Sequence, residues 1–271
     1  MNSTYDIPIQ SLIFYVFLFI IPVMIFKYLK IRKVKSLIIS IARMVFQLSM
    51  VGVYLGYIFH LNNIFINIGW IVLMIFVANI SILDQSGLSI RKLSYYTIPA
   101  YFITVVVVLA SFLIIFSTDT IFSARYLIPL GGMVLGNLLR SNIVGLDRFF
   151  SELRKRENEY IQYISLGAQR SEAVIPFLRE AYKAAMAPQI AGLAIMGLVA
   201  LPGMMTGQIL GGSSPMLAIK YQIMIMTAIF VTTSVSVLLA LIFSMNSAFD
   251  SFGRFRKDIF KDHRERRKKH D

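Results

Sequence analysis

The residues of this chain that could do chemistry lie inside long apolar stretches instead of one polar cluster. Arg43 and Gln47 are four residues apart and therefore share one face of a helix. Asn137 and Arg140 lie near the end of another apolar stretch. A charge inside a membrane span costs about 2.5–3.5 kcal/mol on insertion scales. These positions therefore predict contact with a protein interior or a water-filled path, where polar side chains can be satisfied.

The patterns of known catalytic sites are missing from the sequence. There is no cysteine, so disulfides, thiolate metal sites and cysteine nucleophiles are excluded. The three histidines are scattered, and no HExxH motif, carboxylate pair or serine-nucleophile arrangement occurs. Met204 and Met205 offer soft thioether ligands, but methionine more often packs in a core. We predict that the chain is not an enzyme, and the residues that would bind a metal stay unknown at this point.

Seven apolar stretches, each close to the roughly 20 residues that cross a bilayer, position these side chains. They must be helical, because hydrocarbon offers no water to satisfy a bare backbone. The sequence predicts an all-α fold, a polytopic transmembrane helix bundle in which residues 1–271 form a single domain. The predicted spans are 11–26, 37–59, 64–83, 95–116, 126–146, 189–210 and 221–245.

The basic residues set the expected orientation. Of the 27 lysines and arginines, 23 lie in every second gap between spans or in the tail after residue 245. The positive-inside rule then places the N-terminus outside and the C-terminus in the cytoplasm, in a multi-pass protein of the plasma membrane. The net charge of +13 follows this topology, so nucleic-acid binding is not expected. The tail 246–271 is predicted to be cytoplasmic, and its densest basic run, 254–269, is predicted to lie against anionic lipid headgroups.

The intramembrane polar residues leave two interpretations open. Asp84 is the only acid near the cytoplasmic ends of spans two to four, and it could form a structural pair with Arg43. Arg140 could extend to the membrane surface, or it could line a water-filled path together with Asn137. The small residues of Gly132-x-x-x-Gly136 would allow another helix to approach closely.

A cytoplasmic segment, 147–188, is predicted to form a helix–turn–helix. Charged, helix-favouring residues are interrupted by a short turn, where glycine permits a tight bend, before apolar residues recur at helical spacing. The segment could lie on the membrane as an interfacial helix, or it could present the turn to a cytoplasmic partner. The turn residues are Ser165, Leu166, Gly167 and Ala168.

The sixth predicted span contains a helix-breaking run in its outer half. Proline removes an intrahelical hydrogen bond and glycine loosens the next turn, so we expect the helix to unwind there. Broken backbone at membrane depth occurs only where protein buries it or where it lines a cavity. We predict a translocation path or hinge formed by Pro202, Gly203, Met204, Met205, Thr206 and Gly207.

The run 197–207, with the stretches 43–52, 129–137 and 165–168, closely resembles the FetB family of ABC transporter permeases. The resemblance covers roughly residues 37–245 and implies export of a metal ion, iron. It implies a permease subunit that has no Walker A motif and binds no cofactor of its own. A separate ATPase subunit would carry ATP and Mg and dock at Gly167, and two permease copies would form the pathway. Ile161-Gln162-Tyr163 stands where the broader family has a Glu-Ala-Ala triplet.

Two other classes of function stay open at this point. A secondary transporter driven by an ion gradient would use ionisable residues at mid-membrane, but the spans hold no clear carboxylate, which disfavours proton coupling. A membrane-embedded assembly or sensing protein without transport is the other alternative. An ATPase gene adjacent to this one would favour the ABC permease over both.

Overall fold

The computed structural model describes residues 7–31, 33–250 and 253–261, and these ranges form a bundle of α-helices. The all-α fold expected from the sequence is confirmed. The helices are α1 (Ile9–Phe17), α2 (Ile20–Tyr28), α3 (Val34–Leu61), α4 (Ile64–Gln85), α5 (Ile90–Ser111), α6 (Thr118–Ile121), α7 (Ala124–Lys155), α8 (Glu157–Ser165), α9 (Arg170–Ile195), α10 (Gly203–Leu210) and α11 (Pro215–Ala248).

Six segments in the described part of the chain are long and apolar enough to cross a membrane, so the protein is a multi-pass membrane protein. They are Ile9–Tyr28, Val34–Leu61, Ile64–Gln85, Ile90–Ile114, Ala124–Lys155 and Pro215–Ala248. The remaining predicted span, 189–210, is not one continuous helix, because α9 ends at Ile195 and α10 begins at Gly203. The expected break in this span is present, but it lies further upstream than the sequence suggested.

The break covers residues 196–202. Met196 leaves the helix with ψ of 134°, Gly197 has φ of +84°, and Pro202 is extended at the start of α10. A proline disfavours helical backbone in the residue before it, while its missing N–H does no harm at a helix start. The expectation of broken backbone over 202–207 is therefore wrong for residues 203–207, which begin α10.

The segment formed by α9, the break and α10 runs from one end of the bundle to the other. Phe116, Tyr126 and Tyr221 pack with ring centroids 5.5 and 6.0 Å apart, which places the end of α5 and the starts of α7 and α11 together. We call this the aromatic end. At the opposite end of α11, Ser247 Oγ donates to the carbonyl of Lys92 at 3.3 Å. The chain from α8 to the start of α11 therefore returns to the aromatic end through α9, the break and α10.

The core of the bundle is formed by α4, α5, α7, α9 and α11. Polar side chains join these helices inside an otherwise apolar interior. Asn79 Nδ2 donates to Ser94 Oγ at 2.8 Å, and Asn142 Nδ2 donates to Ser236 Oγ at 2.8 Å. Hydrogen bonds of this kind hold membrane helices in a fixed register, since lipid supplies no alternative partner.

Among the described residues of the three N-terminal helices, the side chain that is buried lies near the end of α3. Residues of α1 and α2 are not buried, and α3 buries Ile58 alone, in a small cluster with Ala124 and Ile128. The rest of α3 lies on the surface of the chain, and Arg43 and Gln47 are exposed there. In one copy of the protein, a long face of α3 that carries polar side chains is therefore not covered by the other described helices.

Candidate functional site

The predicted turn between two helices is present at residues 165–169. Ser165 ends α8 and Leu166 is its C-cap, and Gly167 follows with φ of +91°, a conformation that side-chain-bearing residues rarely adopt. The amide of Gly167 donates to Ile164 O, and the amide of Ala168 donates to Tyr163 O, both at 3.0 Å. These two bonds form the Schellman arrangement that ends many helices at a glycine.

The next helix begins with a side-chain cap. Gln169 and Glu172 form a capping box, in which the backbone N–H of Gln169 donates to Glu172 Oε2 at 2.8 Å. Both sides of the turn are therefore fixed by local hydrogen bonds. Leu166, at its tip, is 86% exposed. A rigid turn with an exposed leucine is suited to contact with another protein.

An ionic group fixes the angle between the two helices. Arg156 donates from Nη2 to Glu159 Oε1 at 2.7 Å on α8 and pairs with Glu180 of α9 at 3.2 Å. The hydrogen bonds from Arg156 lower the pKa of the Glu159 carboxyl, and those to Glu159 raise the pKa of Arg156. The guanidinium also lies 5.1 Å from the ring centre of Phe177 on α9. The turn is therefore held in one orientation.

Residues 249–250 and 253–261 fold back over this end of the bundle, and we call them the C-terminal strap. The apolar side chains of Phe249, Phe255 and Ile259 in the strap are buried. Tyr160 Oη of α8 donates to the carbonyl of Gly253 at 2.8 Å, and burial raises the pKa of Tyr160. The strap therefore packs directly against the helix that precedes the turn.

The other half of the strap binds the turn between α4 and α5. The amide of Ser89 donates to Ile259 O at 2.7 Å, and Lys92 pairs with Asp258 at 2.5 Å. Lys261 pairs with Asp84. The described part of the basic tail thus packs on protein, and contact of the run 254–269 with lipid headgroups stays a prediction. Residues 262–271 lie outside the described ranges.

We predict that removing the buried strap side chain weakens the whole end of the bundle. Ile259 has no exposed surface, and an Ile→Ala change at a buried site costs about 2–5 kcal/mol. Ile259→Ala should lower the thermal unfolding temperature of the purified protein in detergent. Lys257→Ala, which removes an exposed pair with Glu157, should change it little. Equal effects of the two variants would contradict a packing role for the strap.

The interrupted crossing borders a cavity of about 560 Å³. Its walls come from the end of α9, the break, α10 and α11, and they include Pro202 and Met205. Met204 instead packs against the core, and the Thr206 hydroxyl donates to Pro202 O at 3.2 Å. Of the six residues predicted for the pathway, Pro202 and Met205 face this cavity.

The predicted intramembrane polar residues are not brought together. Asn137 Nδ2 donates to Met133 O of its own helix at 2.9 Å, and Arg140 is exposed one turn further along α7. Asp84 pairs with Lys261, so the suggested pair with Arg43 is wrong. The separation in sequence between Asp84 and the strap explains why local spacing did not reveal this contact.

The structure also identifies residues that the sequence argument missed. Gly197 lies in the break and has a positive φ. The sequence could have indicated this, because Gly197 stands five residues before Pro202. Gly52 and Gly56 lie four residues apart on α3, and a Cβ added to either would meet no atom within 4 Å. Their spacing matches that of Gly132 and Gly136 and could have been read from the sequence.

Comparison with known proteins gives one family over nearly the whole chain. Residues 9–249 match the family described as "Uncharacterised protein family (UPF0014)". The chain is 30% identical over 260 residues to "Probable iron export permease protein FetB" of Escherichia coli, covering 93% of this chain and 95% of that protein. It is 32% identical to "UPF0014 membrane protein YjkA" of Bacillus subtilis, with 78% and 82% covered.

A plant relative and the solved structures complete the comparison. The chain is 28% identical to "Protein ALUMINUM SENSITIVE 3" of Arabidopsis thaliana, covering 74% of this chain and 72% of that protein. No solved structure matches the chain. The family match and the coverage of these relatives confirm the resemblance seen in the sequence, and the chain belongs to the UPF0014 family of membrane proteins.

Proposed function

We propose that the chain is the permease subunit of an ABC transporter that exports a metal ion, iron in the first instance, across the plasma membrane. The observation that carries the proposal is the rigid turn at 165–169, which presents Leu166 at the end of a braced helix pair. A separate ATPase subunit, carrying ATP and Mg, would bind this turn. Movement of the turn would pass through α9 to the break and the cavity.

The charge distribution supports a cytoplasmic location for the turn. The gaps that carry most lysines and arginines include the segment 147–188 and the tail. The first half of that segment and the described part of the tail meet where Tyr160 donates to the carbonyl of Gly253. By the positive-inside rule that end faces the cytoplasm, which leaves the N-terminus outside. ATP hydrolysis would then take place on the same side as the turn.

The relatives supply the substrate to test first. Iron export is named for the Escherichia coli relative, and we extend it to this chain as part of the proposal. Cells that produce the chain together with its ATPase should lose preloaded radioactive iron faster than cells that lack either subunit. Efflux that needs an ion gradient but no ATPase would favour a secondary transporter. Unchanged iron retention with an intact complex would refute iron as the substrate.

We further propose that two copies of the chain associate through the uncovered faces of α3 and α7. Arg43 and Gln47 on α3, and Arg140 on α7, are exposed in one copy. A charge in contact with lipid near the centre of a span costs about 2.5–3.5 kcal/mol, so protein cover is favoured. Gly52 and Gly136 on the same two helices permit the close approach that association needs.

This association gives a prediction that separates assembly from folding. A Cβ added at Gly136 would meet no atom within 4 Å beyond its own stretch of helix, so Gly136→Leu should leave the fold intact and abolish the dimer. The oligomeric state can be measured by light scattering of the purified protein in detergent. Gly69→Leu on α4, also without neighbours, is the control and should remain dimeric. A dimeric Gly136→Leu protein would place the interface elsewhere.

A further inference from the structure

The cavity beside the break contains an unusual set of donor atoms. Three methionines line it, and each arrives from a different segment: Met196 at the end of α9, Met205 on α10 and Met226 on α11. All three are partly exposed, so they are not fully covered by packing. Methionine thioethers on separate segments can converge on one space without distorting a single helix.

A buried amide faces the same cavity. Gln222 lies one turn before Met226 on α11 and is only 7% exposed. Within the described ranges no hydrogen bond is found for its side chain, and its amide atoms are not among the fully covered polar atoms, so the amide is open to the cavity that Gln222 lines. The neighbouring Thr227 hydroxyl donates to Ile223 O at 2.9 Å, so its oxygen can still accept or coordinate. The Gln222 side chain therefore points to a ligand in the cavity.

The donor set selects one chemical class of ligand. The cavity lining has no histidine and no carboxylate, and the described residues hold no cluster of three such side chains. Hard cations prefer several carboxylate or carbonyl oxygens, whereas thioethers select soft monovalent ions such as Cu(I). Low positive charge also suits a cavity whose other walls are apolar, because a highly charged ion would lose more hydration there.

We propose that this cavity is a binding site for a soft monovalent cation, Cu(I) or Ag(I), with Met196, Met205 and Met226 as thioether ligands and the Gln222 amide oxygen as a further donor. The proposal goes beyond the proposed iron export and does not replace it, because it assigns a second class of cation, soft and monovalent, to this cavity. The site lies at the break in the sixth crossing, so movement of α9 or α10 would separate the ligands and release the ion.

The composition of the chain makes this site directly testable. There is no cysteine, so no thiolate competes for Ag(I), which is also stable to oxidation. The full-length protein in lipid nanodiscs should bind one Ag(I) per chain in calorimetry. Met205→Leu and Met226→Leu keep the side-chain volume and should each weaken binding about tenfold or more, while the double variant should lose it.

The controls separate this site from nonspecific thioether binding. Met24 and Met50 are exposed on α2 and α3, away from the cavity, so Met24→Leu and Met50→Leu should bind like the parent protein. Equal loss in these controls, or parental binding in the double cavity variant, would overturn the proposal.

Measuring ATPase stimulation beside Ag(I) binding separates a failure of the cation site from a failure of the proposed transport function. ATPase stimulation by the permease needs the coupling turn and not the methionines. A protein that stimulates its ATPase but binds no Ag(I) refutes the cation site alone. A protein that binds Ag(I) in the cavity but never engages an ATPase supports the site and refutes the proposed ABC function.

Discussion

Leu166→Glu is expected to abolish ATP-driven transport while leaving the permease folded in the membrane. Leu166 is 86% exposed and contributes little to the stability of its own chain. A buried glutamate in the contact with the ATPase would be an unpaired charge, which protein interfaces tolerate poorly. Transport and stimulated ATP hydrolysis should both fall to the level seen without the permease. They can be measured in proteoliposomes containing both subunits.

The structure changes the choice of variant at this turn. Gly167→Glu would also block the contact, but Gly167 has φ of +91°, so any side chain there strains the turn itself. Leu166→Glu avoids this ambiguity. Gln85→Glu adds the same charge at the exposed end of α4 and serves as the control. Parental transport by Leu166→Glu would leave α8 and α9 as an interfacial helix pair without a coupling role.

The features that could be predicted from the sequence have local physical causes. The long apolar runs predicted the spans, because a membrane-spanning helix must be apolar along its length. Gly167 predicted the turn because glycine can adopt the left-handed backbone found there. The break near Pro202 was predicted because proline and glycine interrupt a helix. Its position was predicted too far downstream, since α9 ends at Ile195 and α10 begins at Gly203. A proline acts on the residues before it, and Gly197 extends the irregular stretch further upstream.

The C-terminal strap could not be predicted from charge. Its lysines and arginines match a tail bound to lipid headgroups, and this reading overlooked the apolar residues between them. Phe255 and Ile259 are buried, and these side chains decide where the segment packs. The pair between Lys261 and Asp84 joins residues that are 177 positions apart, a contact that spacing along one helix cannot reveal.

The strap has an acid-sensitive component that follows from its ion pairs. Hydrogen bonds from Arg256 and Lys92 lower the pKa of Asp258 to about 2. Because the folded pKa lies below the ordinary value near 3.9, this contribution to stability is complete above about pH 4. It is lost as the pH falls toward 2. Near neutral pH the strap is therefore held by both its ionic and its apolar contacts.

The cavity beside the break is expected to be accessible to water through Met205. The parent chain has no cysteine, so a single cysteine at Met205 can be labelled without background. Met205 faces the cavity, and a water-soluble thiol reagent should modify Met205→Cys if the cavity opens to water during transport. Binding of ATP to the partner subunit should change the labelling rate on the order of tenfold, which corresponds to about 1.4 kcal/mol. Mass spectrometry of the labelled protein measures this rate.

The adjacent residue provides the matched comparison. Met204 lies next to Met205 on α10 but packs against the hydrophobic core, so Met204→Cys should react more slowly. Reversed reactivity of the two positions would mean that α10 presents its other face to the pathway. Inert cysteines at both positions, with and without ATP, would make the break at 196–202 a packing feature. In that case the freed backbone groups of the break would be satisfied by neighbouring helices, because lipid cannot satisfy them.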